Sequence, residues 1–212
     1  MSPDAATAWQ LRVLTRRDAA AVTALRQAAY AQAREFLWRD PATLGWTAAD
    51  DAGTVLGLLD ARSGGLLASV RLNVIGSAAR AEAFLEHGLA GLPLAWPALV
   101  LSRAATQPGL QARGLMARLR LSYLERCAAS HGSERLRGVL ALVYRDASRV
   151  RSMQQAGFEL HAPSASHDTE AVALAAPLLA WLPRQRLAAA LVEARAQVAR
   201  PALHTGCMEP AS

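Results

Sequence analysis

The chain has 212 residues, 52% of them hydrophobic and 19% charged, and this balance excludes a largely disordered protein. All 23 basic residues are arginine and the net charge is +6, which favours acidic partners such as a phosphorylated cofactor. The scattered arginines form no nucleic-acid-binding motif, two cysteines are too few for a metal site, and no apolar run is long enough to span a membrane. We therefore expect a cytoplasmic protein with no metal, no nucleic-acid partner and no membrane span.

The first half of the chain alternates strand and helix patterns after residues 1–9, which we expect to be disordered. A helix is predicted where apolar residues recur at helical spacing after the capping residue Thr15. A β-hairpin is predicted where two apolar runs flank a turn that contains Gly64 and Gly65. The predicted elements are strand 11–14, helix 18–36, strands 54–60 and 66–75, and a short helix over 78–88.

The second half is predicted to place a buried strand on either side of a long helix. An apolar run over 97–101 predicts the central strand, roughly 98–105, and a near-continuous apolar run over 136–143 is typical of a buried strand. The element order predicts an α/β fold, a mixed central sheet with helices on both faces. We assign residues 10–176 to this domain and 177–212 to a C-terminal helical extension and tail. The remaining predicted elements are helix 147–156, extended segment 158–161, strand 171–175 and helix 184–200.

The turn over 106–114 is the most informative stretch for function, because it joins the predicted central strand to the long helix through Gly114. Backbone N–H groups at the start of a helix have no partner within the helix, and the helix dipole adds positive charge there. Such a corner binds anions. The sequence therefore predicts a site for the pyrophosphate or the phosphopantetheine arm of a carrier.

Two short motifs resemble those of the GNAT acyltransferase superfamily. Gln111, Gly114 and Met116 follow Pro108 at the spacing of its cofactor motif, and Ala156-Gly157-Phe158 is similar to a second signature, which ends a later helix. The two motif glycines, at positions 114 and 157, are 43 residues apart. The resemblance implies a GNAT-like fold. It also implies transfer of an acyl group from an acyl-CoA or acyl-phosphopantetheine thioester to the amine of a small molecule.

The same resemblance implies which main-chain groups hold the acyl donor. The backbone of residues 103–106 would pair with the pantetheine arm, and the N–H groups of 111–116 would take the phosphate. Met116 replaces a small residue of the family motif, a change that backbone contacts partly tolerate. The implied cofactor-binding residues are Ala104, Ala105, Thr106, Gln111, Ala112, Arg113, Gly114, Leu115 and Met116.

Two departures from the family pattern leave three interpretations open. Met153 stands where many members carry a tyrosine that protonates the leaving thiolate. The autoinducer synthases and N-acyl amino acid synthases also lack that tyrosine, and they take acyl groups from acyl carrier protein. Leu101-Ser102-Arg103 is similar to their Glu-Leu-Ser-Arg strand, although Val100 replaces the glutamate. The protein is thus a general N-acyltransferase, a long-chain N-acyl amino acid or acyl-homoserine-lactone-type synthase fed by acyl carrier protein, or a catalytically silent GNAT-like binding module.

Acids before the central strand are candidate bases for the acceptor amine. Glu82 and Glu86 lie in the helix-like segment where the acceptor pocket is expected, and a buried carboxylate with a raised pKa accepts a proton directly or through water. Their spacing of four also fits a solvated helix face. Tyr144 is either a proton relay or a core residue.

Two arginines within apolar strands are the remaining catalytic candidates. A buried guanidinium needs a partner, so Arg71 and Arg103 either bind an acidic acceptor or carrier phosphate, or form internal salt bridges with Asp50 or Asp60. Ser102 alternates with them and is a candidate hydrogen-bond partner of the acceptor. The full set of predicted catalytic residues is Glu86, Glu82, Arg103, Ser102 and Arg71.

The last predicted helix carries an apolar stripe of Leu187, Leu191 and Ala194. Such a stripe usually packs on its own domain, and a homodimer or partner surface is the other interpretation. Acyl carrier protein is the protein partner that the resemblance implies.

Overall fold

A computed structural model describes residues 9–31, 41–89, 91–111, 113–132, 135–143, 147–162 and 177–199. Within these ranges the chain forms one seven-stranded mixed sheet with helices on both faces, as predicted. The strands stand in the order β1-β2-β3-β4-β5-β7-β6, and only β4 and β5 are parallel. Their bounds are β1 Trp9–Leu14, β2 Thr54–Asp60, β3 Leu66–Ile75, β4 Ala98–Thr106, β5 Gly138–Val143, β6 Glu159–His161 and β7 Leu178–Pro183.

The predicted hairpin is confirmed, because β2 and β3 pair antiparallel over the predicted residues. Asp60 organises the turn between them: its carboxylate accepts the N–H groups of Arg62 and Ser63 at 2.9 and 2.8 Å. Gly64 then adopts a φ of 71°, in the left-handed region that glycine enters without a steric penalty. Turn chemistry thus fixes the register of the two strands.

One face of the sheet packs against two long helices and is almost wholly apolar. Leu119, Leu124 and Cys127 of the first helix are fully buried against alternate residues of the central strands, such as Leu99 and Val139. The second helix packs beside the first. These helices are α4 (Leu115–Ala128) and α6 (Leu187–Ala199).

The opposite face is covered by α1 (Ala19–Tyr30), α2 (Ala48–Asp51) and α3 (Ala78–Leu85), and it mixes apolar with polar contacts. Ala81 and Leu85 of α3 pack beside Val100. Further along the same face lie the buried side chains of Ser69, Arg71 and Asn73, which alternate along β3 with residues of the apolar face. The remaining helix, α5, spans Ala147–Gln155.

The sequence did not predict β7, and this is the main correction to the fold. Leu178–Pro183 pairs with β5 on one side and with β6 on the other, so it lies inside the sheet. The predicted boundary at residue 176 therefore leaves a strand of the sheet outside the domain, although a helix does follow it. The strand predicted over 171–175 lies outside the described residues.

Two observations concern membrane-spanning helices and metal sites. Among the described helices, none is long and apolar enough to cross a membrane. The described residues also contain no group of three or more His, Cys, Asp or Glu side chains placed to hold a metal ion.

Candidate functional site

The central feature of the site is the point where β4 and β5 part. The two strands pair only from Ala98 to Leu101 on β4 and from Gly138 to Ala141 on β5. β4 then continues to Thr106 with β3 as its only partner among the described strands, while β5 continues against β7. Beyond Leu101, the side of β4 that faces β5 has no strand partner among the described strands.

A β-bulge lies where the strands part. Ser69 of β3 pairs with Ala105, whereas Arg71 pairs with Ser102, so two residues of β4 oppose one of β3. One of the two, Arg103, has a φ of 53°, in the left-handed region. Such a conformation is strained for an arginine, and bulges of this kind redirect backbone groups beside active sites. The bulge falls within the segment, 103–106, that the family resemblance implies for the donor's pantetheine arm.

The turn after β4 brings the start of α4 to the same end of the sheet. The N–H of Gln107 donates to the carbonyl of Leu67 at 2.8 Å and ties the turn to β3. Gly114 is the N-cap residue of α4 with a φ of 72°, and a Cβ added there would meet no heavy atom within 4 Å. Glycine is thus required by the backbone conformation and not by crowding. The amides of the first helical turn have no partner within the helix, so this corner suits an anion.

The predicted phosphate-binding residues differ in what their groups already contact. The N–H of Arg113 donates to the carbonyl of Leu110 at 3.2 Å, so this amide is engaged within the turn. Met116 is half-buried and packs against the apolar core with Leu115. Gln111 is exposed, and Ala112 lies outside the described residues.

Arg71 lies beneath the bulge on the face that carries α1 to α3. Its side chain is 8% exposed. The guanidinium donates to the Ser102 hydroxyl at 2.8 Å and to the Thr47 hydroxyl at 3.2 Å, and it lies over the ring of Phe84 at 5.0 Å. Burial, with the like charges of nearby arginines, lowers the pKa of Arg71 to about 10, so it stays charged at neutral pH. Of the two carboxylates predicted for it, Asp50 is its neighbour, at 3.7 Å.

Asp50 is already neutralised by another arginine. Arg26 of α1 donates to both carboxylate oxygens, at 2.6 and 3.3 Å, and both side chains are fully buried. The Thr47 N–H adds a third bond at 2.8 Å. Burial alone raises the pKa of Asp50, but the bonds from Arg26 and Thr47 and the charges of Arg26 and Arg71 hold it below its usual value. Arg71 therefore shares a carboxylate whose charge is largely compensated.

Besides Arg71 of β3, one side chain of α1 also reaches the bulge. The Tyr30 hydroxyl donates to the carbonyl of Ala104 at 2.6 Å. Neither Tyr30 nor Arg26 was among the predicted site residues, although both continue the buried face of α1 begun by Val22. The sequence signal that could have found both residues is a polar side chain at a position on the buried, otherwise apolar face of a helix. Nearby, the buried hydroxyl of Ser69 has no hydrogen-bond partner among the described residues.

The two glutamates predicted as bases, Glu82 and Glu86, lie in different environments. Glu82 accepts the N–H of Leu89 at 2.8 Å, so one of its oxygens closes the end of α3. Glu86 is exposed at the C-cap of α3 with a φ of 54°. Tyr144 lies outside the described residues. A role for either glutamate as the base stays a prediction.

A cavity of about 530 Å³ opens at the other end of β5, away from the bulge. Among the described residues, its lining includes Arg135, Arg137, Arg184, Trp181 and Pro183 and no acidic side chain. Arg184 donates to main-chain carbonyls at the C-terminal end of α4, including those of Cys127 and Ala128, so it acts as a helix cap. This arginine-lined cavity is the alternative place for an anion.

Solved structures share this arrangement of strands and helices. An acetyltransferase of Corynebacterium glutamicum, described as histone acetyltransferase HPA2 and related, aligns with a TM-score of 0.59 and 15% identity, over 82% of this chain and 96% of its own. The loading GNATL domain of CurA from Lyngbya majuscula aligns with a TM-score of 0.58 and 15% identity, over 84% of this chain and 99% of its own. The chain has the GNAT acyltransferase fold. The predicted fold is thereby confirmed.

A third structure with the GNAT fold contains a donor. A GNAT acetyltransferase from Brucella melitensis, in complex with acetyl-CoA, aligns with a TM-score of 0.50 and 14% identity, over 84% of this chain and 89% of its own. No protein-family model matches the sequence, and no curated protein matches it. At these identities the likeness establishes the fold alone.

Proposed function

We propose that the protein transfers an acyl group from an acyl thioester to the amine of a small molecule. The observation that carries the proposal is the parting of β4 and β5 at the Arg103 bulge, beside the N-terminus of α4. A strand segment with no partner on the side of β5 and the first turn of a helix, which suits an anion, meet at one end of the sheet. An acyl thioester on a phosphorylated carrier has groups that fit both parts. Its carbonyl and amides can hydrogen-bond to the strand, and its phosphates can bind at the start of the helix.

The main chain supplies the part of the chemistry that polarises the thioester. A backbone N–H of the segment 103–106 faces the thioester oxygen, where it stabilises the negative charge that develops as the amine attacks. The amides at Gly114, Leu115 and Met116 hold the phosphate of the carrier. Because the donors are fixed by the fold, they are aligned before the donor arrives.

The side chains below the bulge belong to the acceptor side of the reaction. Arg71 and Ser102 form one hydrogen-bonded unit, and Arg103 lies close enough for its charge to lower the pKa of Arg71. In the proposal Ser102 hydrogen-bonds the acceptor. Glu82 or Glu86 removes the proton from the amine, directly or through water.

The donor is an acyl-CoA or an acyl group on acyl carrier protein. The acetyl-CoA complex of a protein with the same fold supports the first. The Ser102-Arg103 pair, which is similar to the strand of the autoinducer and N-acyl amino acid synthases, supports the second. If a long-chain N-acyl product forms from the acyl carrier protein thioester and not from acyl-CoA, the donor is acyl carrier protein.

The test measures thioester binding and amide formation with acetyl-CoA, octanoyl-CoA and octanoyl-acyl carrier protein. A ligand at 100 times its dissociation constant raises stability by ~2.7 kcal/mol, which a melting curve detects. Gly114→Asp places a carboxylate beside the phosphate site, so we expect it to lose binding. Gly132→Asp is the matched control, because Gly132 also has a positive φ, 57°, and open space around its Cβ. If wild-type protein neither binds nor consumes any of the three donors, the proposal is wrong.

A catalytically silent binding module is the second candidate function. Met153, which stands in place of the family's tyrosine, is buried in the apolar core, and Val100 is fully buried as well. Neither supplies a proton or a carboxylate to the cleft. Donor binding without formation of any amide, across a panel of amines, would decide for this candidate.

A further inference from the structure

Two side chains hydrogen-bond to β4 on either side of the strained residue of the bulge. Arg71 holds the Ser102 hydroxyl at 2.8 Å on one side. Tyr30 holds the Ala104 carbonyl at 2.6 Å on the other side. Arg103, between them, carries the φ of 53°. A non-glycine residue in this region relaxes unless its surroundings hold it, and these two bonds contribute to holding the residues on either side of it.

Tyr30 lies on the buried face of α1, which is anchored by contacts other than the Tyr30 hydroxyl. Arg26 lies one helical turn earlier on the same face of α1. It anchors that face through the buried Asp50 and through the carbonyl of Gly45, at 3.1 Å. Tyr30 is 8% exposed. We therefore expect its ring to stay packed if the hydroxyl alone is removed.

The Ala104 carbonyl is part of the segment that contacts the donor in the proposed function. A peptide unit is planar, so a hydrogen bond that fixes the carbonyl of Ala104 also fixes the N–H of Ala105 in the same unit. The orientation of the preceding peptide is restrained through the shared Cα. Catalysis by backbone amides depends on this alignment, and a displacement of about 1 Å costs on the order of a hundredfold in rate.

We propose that Tyr30 is a positioning residue for acyl transfer: its hydroxyl holds the Ala104 carbonyl and thereby orients the bulge amides toward the thioester oxygen. The inference rests on the proposed function. In the reaction the amine nitrogen forms a bond to the thioester carbon, the carbon–sulfur bond breaks with its electron pair on sulfur, and the proton lost by the amine balances the one gained by the thiolate. Tyr30 keeps its proton throughout and acts only through the backbone.

The test is Tyr30→Phe, which removes the hydroxyl and keeps the ring. We expect kcat to fall by about tenfold to a hundredfold. The KM for the thioester should stay within about twofold of the wild-type value, because the variant keeps the contacts that bind the donor equally in the ground state and the transition state. Tyr123→Phe is the control: Tyr123 is also buried, 3% exposed, but it lies in α4 on the apolar face. It should leave kcat unchanged. Equal kcat for wild type and Tyr30→Phe would overturn the inference and leave the proposed function intact.

A second measurement separates positioning from proton donation. The ratio of the wild-type to the Tyr30→Phe rate is measured with an acyl-CoA and with the same acyl group on p-nitrothiophenol, whose thiolate leaves without protonation. A positioning role predicts the same ratio for both donors. If the aryl thioester restores the rate of the variant, Tyr30 is a proton donor and the inference is wrong. If wild-type protein acylates no amine at all, the proposed function falls and the inference falls with it.

Discussion

The two faces of the sheet are built from different chemistry. The face under α4 and α6 buries leucines, alanines and a cysteine with few polar groups, and its helices are held by packing. The face under α1 and α2 buries Arg26, Asp50 and Arg71. Both arginines lie against Asp50, and Arg71 also donates to Ser102 beside the bulge in β4. Buried charges cost free energy unless they are paired, so this arrangement is not the simplest way to stabilise a sheet. The polar face shapes the site, and the apolar face supports it.

The largest expected effect comes from breaking the charge pair of the polar face. Asp50→Asn leaves Arg26 buried without its carboxylate, and loss of one partner of a buried pair costs about 3–5 kcal/mol of unfolding free energy. Asp51→Asn is the control on the same short helix. Asp51 is 39% exposed and pairs with the exposed Arg16, so its loss should cost much less stability than the loss of Asp50. Urea denaturation measures both, and similar losses would contradict the account.

Cavity formation on the apolar face should cost nearly as much stability but leave catalysis alone. Leu119 of α4 is fully buried in the main core. Leu119→Ala should lower the unfolding free energy by about 2–5 kcal/mol. We expect the kcat of the folded variant to match wild type, unlike that of Tyr30→Phe. A large loss of kcat in folded Leu119→Ala would remove the distinction between the two faces.

A smaller effect tests the placement of β7. A Cβ on Gly138 would lie 2.2 Å from the Trp181 ring and 2.6 Å from the Leu182 carbonyl. Gly138→Ala should therefore force β5 and β7 apart and cost about 1–3 kcal/mol. Gly76→Ala is the control, since its Cβ meets no heavy atom within 4 Å. An unchanged melting temperature for Gly138→Ala would contradict the pairing of these strands.

The smallest predicted effect is a pH dependence that belongs to Asp50. Its pKa is below the usual value, so the charge contributes stability above the unfolded pKa of about 3.9 and loses that contribution as pH falls through the folded value. The stability difference between wild type and Asp50→Asn should therefore shrink as the pH falls below about 4. A difference that stays constant from pH 7 to pH 2 would show that the carboxylate is not charged in the folded protein.

The sequence predicted elements that local chemistry determines and missed those set by distant partners. The β2–β3 hairpin was predictable because Asp60 and Gly64 fix a turn between two apolar runs. Residues 178–183 are also an apolar run, bounded by Pro177 and Pro183, but their place between β5 and β6 depends on long-range pairing.

The site divides in the same way. Gly114 was predictable from its place between a strand and a helix. Arg26 and Tyr30 were missed because their partners, Asp50 and Ala104, are 24 and 74 residues away in sequence. Spacing along one helix shows which face they share and does not show what that face meets.

The most direct test of the central claim is amide hydrogen exchange, measured by NMR with and without coenzyme A. The account predicts slower exchange for the amides of 103–106 and of the first turn of α4 from Gly114, with no change around Arg135, Arg137 and Arg184 at the other end of β5. Protection confined to that arginine-lined cavity, with the bulge and the start of α4 unaffected, would contradict it.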